Sequence, residues 1–339
     1  MHASFEKHTL HFKTPARTSR GAYDTKEIYI ISCTRHHITF TGEAAPLPDL
    51  SIDDVENMSL LLRHLCRAWN EGMPVAQLAD TFSLHQYPAV QFALECIELQ
   101  MHSGTPGLLF TSPFTEHKKG VAVNGLVWMS DAESMYRQAE EKIAAGYRCI
   151  KMKIGALDFD EECRLLEKLR KKYNAFQVEL RVDANGAFHA EDALMKLKEL
   201  SRFELHSIEQ PVKAGQWDLM AQLCAETPLP IALDEDLIGV RVHDEGETML
   251  KKIKPQYIIL KPTLLGGFRA SDAWIALAGR HQAGYWVTSA LESNIGLNAI
   301  AQYAATLPVS MAQGLGTGAL YTNNFESRSE IREGQLYFM

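Results

Sequence analysis

The chain has 339 residues, 46% of them hydrophobic, and a formal net charge of −8. That balance argues against a surface for nucleic acid or anionic membrane, and no apolar run reaches the ~20 residues of a membrane-spanning helix. Six cysteines without a C-x-x-C pair read as reduced, buried thiols, and the N-terminus lacks the apolar core of a signal peptide, so a soluble, cytoplasmic protein is expected.

Residues 1–45 predict strands. Phe5 to Phe12 alternates, Ile28 to Cys33 is β-rich, and Arg35 to Glu43 continues as a hairpin partner. Between the first two, Thr14 to Thr25 carries Pro15, Arg17, Arg20 and Gly21 and reads as a polar loop, at its simplest a hairpin connection. Residues 51–103 predict helices. Ser51 and the acids after it suit a helix start, and Leu60, Leu61, Leu65 and Trp69 follow at helical spacing. Pro88 to Met101 gives a second apolar helix.

From Val121 the pattern changes to strand–helix alternation. Val121 to Trp128 predicts a first strand broken at Asn124-Gly125, and Ser130-Asp-Ala-Glu133 a capping box that opens a helix stopping at Gly146. Strands are expected at 149–154, 178–183, 206–210, 230–234, 257–261 and 284–289, with a short last one at 309–313; helices fill the gaps. Gln335 to Met339 reads as a final strand returning to the N-terminal part. The fold class is α/β, a modified TIM-like (β/α)8 barrel over residues 106–319, with an α+β capping domain over 1–105 that residues 320–339 rejoin.

Polar residues close the strands at near-constant spacing. Asp183, Glu209 and Asp234 end three successive strands; Lys151 and Lys153 end the strand before, Lys261 the strand after, and Ser289 the next. Singly, each carboxylate would read as a helix cap or surface ion pair, and each lysine as a solvated rim charge. Matched spacing puts all of them at the C-terminal mouth of one barrel. Three oxygen donors without His or Cys favour a hard dication, Mg2+, over zinc. Lys151 and Lys153, two apart on a strand, are some ~6–7 Å apart. Their repulsion of ~2 kcal/mol, with burial, is expected to bring a lysine towards neutrality and make it a general base. Lys261, across the barrel, faces Lys153, which suggests proton transfer at a carbon next to a metal-bound carboxylate.

In this order, Lys151-Met-Lys153, Asp183-Ala-Asn185, Glu209-Gln-Pro211, Asp234-Glu235 and Lys261-Pro262 resemble the muconate-lactonizing subgroup of the enolase superfamily, over essentially the whole chain. Lysine bases working with Mg2+ are a known device of that superfamily. Within it, Asn124–Trp128, Ser289–Gly296 and Gln313–Gly318 resemble the dehydratases of menaquinone biosynthesis. The resemblance implies that Asp183, Glu209 and Asp234 bind Mg2+, with Mn2+ as the alternative. It implies that Lys153 takes the α-proton of a cyclohexadiene carboxylate and returns it to the departing hydroxyl, a lyase reaction with syn loss of water, while Lys261 stabilises the enediolate. Lys151 and Asn185 would hold the carboxylate and metal shell. Ser289, Ser293, Gly314 and Gly316 would receive the succinyl arm, and the loop with Arg17 and Arg20 would close over it. The only partner implied is a small-molecule carboxylate.

One departure is Glu235-Asp236 where the subgroup usually has Glu-Ser: Asp236 shares a face with Asp234 and competes for the third ligand position. Two opposed lysines also suit 1,1-proton transfer, as in an N-acylamino-acid racemase or a dipeptide epimerase. Dipeptide epimerases typically carry Asp-x-Asp where this chain has Gly314-Leu-Gly-Thr-Gly318. A non-catalytic binding barrel would have no use for the complete set.

Overall fold

Period-two alternation builds the first layer. A computed structural model describes residues 1–18 and 21–339, with the side chains of 1–16 and 22–339. Strands β1 (His2–Thr18), β2 (Gly21–Arg35) and β3 (Ile38–Ala44) form an antiparallel sheet in that order. Tyr29, Ile31 and Cys33 face helices α1 (Met58–Asn70), α2 (Val75–Thr81) and α3 (Pro88–Ser103); Ile28, on the other face, packs with Leu10, Ala45 and Tyr321.

Several expectations change here. Much of the Thr14–Thr25 loop is strand, with the register shifting between His11 and Ala16, around Pro15, which has no N–H for the ladder. Arg20 and the side chain of Arg17, expected to close over the site, lie outside the described residues. The helix expected at Ser51 starts at Met58: the Ser51 hydroxyl instead accepts the Leu47 N–H at 2.7 Å and closes a turn. Leu60 is exposed, and Leu62, Leu65 and Trp69 form the buried stripe.

The Asn124-Gly125 break divides the first barrel strand between two sheets. β4 (Val121–Ala122) leaves the barrel, and β5 (Gly125–Val127) begins it. The parallel sheet then runs in chain order through β6 (Cys149–Lys153), β7 (Glu179–Asp183), β8 (Ser207–Glu209), β9 (Ile231–Leu233), β10 (Tyr257–Leu260) and β11 (Gly284–Val287). Helices α4 (Ala132–Ala144), α5 (Phe159–Lys172), α6 (Ala193–Leu200), α7 (Trp217–Glu226), α8 (Glu247–Ile253), α9 (Pro262–Leu265), α10 (Phe268–Arg280) and α11 (Asn294–Thr306) fill the connections. The cap of α4 is Asp131, which accepts the Ser134 N–H at 2.9 Å, rather than Ser130.

The expected eighth strand at 309–313 is reduced to two parallel bridges, Val123 to Gln313 and Thr288 to Gly314, which join the first and last edges. The Gln313 side chain takes over part of the ladder by accepting the Val287 N–H at 2.7 Å. The tail also differs. β12 (Ser329–Arg332) and β13 (Gln335–Phe338) form a sheet with β4, so the last strand does not join the N-terminal sheet. Residues 320–322 do that instead: the Lys13 N–H donates to the Leu320 carbonyl at 2.8 Å, and the Thr322 N–H to that of His11 at 2.9 Å. Among the described residues no helix is long and apolar enough to cross a membrane.

β3 and α3 touch through a glycine. A Cβ on Gly42 would stand 2.1 Å from the Ala93 carbonyl oxygen, a backbone atom that cannot turn aside. Gly42→Ala is therefore expected to cost about 1–3 kcal/mol, as overpacking does. Urea unfolding measures it; a midpoint equal to the parent's would show that the two elements separate without cost.

Candidate active site

The parallel strands end in charge, and the register brings the charges together. Lys153 pairs across the sheet with Asp183, and Asp183 with Glu209. Asp234 follows β9 and Lys261 follows β10, where Lys261 serves as N-cap position of the short α9. All six lysine and carboxylate groups are buried or nearly so, Asp183 and Glu209 completely. The Lys151 ammonium donates to Glu209 and lies 2.9 Å from Asp183. The Lys153 ammonium donates to Asp183 at 2.6 Å and to the Asn185 side-chain carbonyl at 2.7 Å. Lys261 donates to Asp234 at 2.5 Å.

These contacts overturn the expected electrostatics of Lys151. Burial alone would push the Lys151 ammonium down, but Asp183, Glu209 and Asp234 outweigh it and hold Lys151 well above the ordinary lysine value. Lys261 is likewise raised, with burial opposed by Asp234 and Glu235. A lysine–carboxylate contact near 3 Å is worth ~5 kcal/mol at an effective dielectric near 20, against ~2 kcal/mol for two ammonium groups ~6–7 Å apart. Attraction wins. Burial would raise the Asp183 carboxyl, yet Lys151 and Lys153 hold it well below the usual range. Glu209 goes the other way, pushed up to about 8 by burial, with Asp183 and Asp234 adding to the effect and Lys151 opposing it.

The third carboxylate is fixed by a residue that sequence reasoning did not single out. The Gln210 side-chain carbonyl accepts the N–H of Asp234 at 3.1 Å, and its amide donates to Asp236 at 2.7 Å. Asp236 also accepts from the Gly215 N–H and the Trp217 indole. A turn of 3-10 helix at Glu235–Leu237 breaks the strand alternation, so Asp236 no longer follows Asp234 into the mouth. Glu235 instead accepts from the Asn185 amide at 3.0 Å.

A narrow cleft of about 80 Å³, partly open to solvent, is lined by Lys151, Lys153, Asn185, Lys261, Ser289, Gly314 and Gly316. Leu47, Leu126, Trp128 and Leu291 supply apolar wall. Gly314 has to be glycine, since a Cβ there would stand 2.1 Å from the Thr288 hydroxyl. Ser289 hydrogen-bonds Thr317 at 2.6 Å. Ser293 is the expected site residue that does not join the others: it is fully buried, caps α11 through the Ile295 N–H, and donates its hydroxyl to Glu43.

Among the described residues no three acidic, His or Cys side chains converge on one cation position. The donors still suit a hard dication by their chemistry: three carboxylates meet at one mouth, and Glu209 Oε1 is buried without a hydrogen-bond partner.

Residues 134–338 match the family model of enolase C-terminal domain-like proteins, and the chain belongs to that family, within the enolase superfamily. It is 44% identical to an o-succinylbenzoate synthase of Desulfotalea psychrophila, over 99% of this chain and 98% of the relative. The crystal structure of MenC from that organism superposes with a TM-score of 0.90 at 41% identity, covering 99% of both chains. A dipeptide epimerase of Enterococcus faecalis, solved with Mg and a dipeptide, shares the fold at TM-score 0.82 and 17% identity, over all of this chain and 96% of that one.

With Lys151 serving two carboxylates, Lys151→Met strands Glu209 in a buried site and leaves Asp183 to Lys153 alone. We expect a loss on the order of 3–5 kcal/mol, the cost of breaking a buried ion pair from one side. Urea unfolding in the presence of a chelator reads it; a loss within error of zero would mean that water already reaches these carboxylates.

Proposed function

We propose that this protein is an o-succinylbenzoate synthase of the muconate-lactonizing subgroup. It would remove water from the cyclohexadiene carboxylate SHCHC to give 2-succinylbenzoate, in cytoplasmic menaquinone biosynthesis. The observation that carries the proposal is a complete lysine–carboxylate–lysine set at one barrel mouth, in a chain 44% identical to such an enzyme over nearly its whole length.

In this reading Asp183, Glu209 and Asp234 hold Mg2+, which supplies positive charge to a substrate carboxylate as the adjacent carbon loses its proton. Lys153 takes that proton at its Nζ, and the substrate hydroxyl leaves from the same face carrying a proton from Lys153, so one water departs and the lysine ends as it began. Lys153 has the position for it, oriented by Asp183 and Asn185. Lys261, which donates to Asp234 and lines the same cleft, is placed to act as a cation beside developing negative charge. The wall formed by Leu47, Leu126, Trp128 and Leu291 keeps water from the reacting carbon. We assign residues 1–105 with 320–322 to capping, and 106–319 with the β12–β13 hairpin to the catalytic barrel.

Ultraviolet assay of SHCHC loss, with and without Mg2+, beside a panel of N-succinylamino acids and dipeptides, tests the reaction. SHCHC should be consumed only with the metal; dipeptide turnover with SHCHC untouched would make the protein an epimerase. For the base, Lys153→Ala should lose solvent-proton exchange and at least ~10²-fold in rate, the lower end of general acid–base effects, while remaining folded by circular dichroism. Activity at the parent level would remove Lys153 from the reaction.

A further inference from the structure

One wall of the cleft is held from outside the barrel. Ser289, Ala290 and Leu291, after β11, line the cleft, and Leu291 sits at φ +61°, a left-handed conformation unfavourable for a side chain branched like leucine. Such a conformation persists only where its surroundings over-determine it. The surroundings here are Lys26, on β2, and Tyr321, in the C-terminal return. The Lys26 ammonium donates to the Ala290 carbonyl at 2.6 Å and to the Leu291 carbonyl at 3.0 Å; the Tyr321 hydroxyl donates to the Leu291 carbonyl at 2.7 Å.

Lys26 is only 2% exposed, and no role in the chemistry accounts for it. Burial pushes the Lys26 ammonium down from the ordinary lysine value, opposed by Glu292, Glu43 and Asp53. Glu292 carries the connection onward: it accepts the Ala290 N–H at 2.8 Å and the Thr263 hydroxyl at 2.6 Å. Thr263 stands two residues past Lys261 in the turn that Lys261 opens. Glu43, from β3, holds the next stretch by accepting the N–H groups of Ser293 and Gly296, each at 2.8 Å.

We infer that Lys26 is a positioning residue for the reaction: from the antiparallel sheet it fixes the Ala290–Leu291 backbone, and so sets the shape of the cleft wall against which the substrate lies. The inference deepens the dehydratase reading and rests on it for the identity of the substrate. Lys26 touches no reacting atom. Its loss would act on binding, through a wall that no longer holds one conformation.

Two variants and two measurements test this. In Lys26→Met and, more gently, Tyr321→Phe, KM for SHCHC should rise about tenfold or more in the first and about threefold in the second, with kcat changed far less, as when a hydrogen bond that shapes binding rather than chemistry is lost. A merely structural loss would lower the amount of active enzyme, and thus apparent kcat, at constant KM. Amide hydrogen exchange of the metal-bound protein gives the activity-independent reading: residues 287–293 should exchange faster in both variants, with β2 and α11 protected as in the parent. If Lys26→Met does not fold, Lys26→Gln, of similar length but without the ammonium, takes its place under the same two readings. Parent-like KM together with parent-like exchange at 287–293 overturns the inference. A parent enzyme without SHCHC turnover would instead sink the dehydratase reading, and exchange at 287–293 would still decide whether Lys26 holds the wall.

Discussion

Three lysines and three carboxylates share one dry mouth, and none would be stable there without the others. Removing a single ammonium or carboxylate from water costs several kcal/mol even after relaxation. Lys151, donating to Glu209 and close to Asp183, offsets much of that cost for both, and Lys261 does the same for Asp234. Register enforces the arrangement. With Lys153 opposite Asp183 and Asp183 opposite Glu209, a one-residue slip would turn the charges towards the helix layer and the apolar side chains into the mouth. The barrel's apolar alternation and its charged rim are thus one constraint read at two heights.

The same logic extends outward, since the antiparallel sheet meets the barrel through polar groups as well as apolar ones. Glu95 of α3 accepts the Phe268 N–H at 2.6 Å at the start of α10, Glu43 accepts at the start of α11, and Lys26 donates to the loop after β11. Apolar contacts tolerate sliding; a buried carboxylate seated on helix N–H groups has one satisfied position, and leaving it exposes an uncompensated charge. Two such seats, together with Lys26 on the loop after β11, fix the N-terminal layer relative to the mouth, so that Leu47, outside the barrel, reaches the cleft wall.

How much of this was legible depended on whether the signal was local. A βα unit repeats over some 25–30 residues, so the positions of Asp183, Glu209, Asp234 and Lys261 at strand ends could be read from spacing and period alone. The Asn124-Gly125 break was visible as a turn, but not that it hands Val121–Ala122 to another sheet, because the partner is β13, some 200 residues away. Asp236 looked equivalent to Asp234 by strand parity; a single 3-10 turn undid the parity. The direction of the Lys151 shift was misjudged because sequence supplies the i, i+2 neighbour and not the carboxylates across the mouth.

Lys26 and Glu43 show where a faint signal was present. Lys26 is in phase with Ile28 on β2, and Glu43 pairs in register with Ile30, so both charges stand on a face that alternation marks as partly apolar. A lone charge in phase with isoleucines cannot stay buried without a partner, and here the partners lie more than 240 residues along the chain, in the loop after β11 and the start of α11. Phase therefore announces that a partner exists, while only the closed barrel says which. For a chain of this architecture, charged residues that break strand phase outside the strand ends are where the layer around the barrel makes contact with its chemistry.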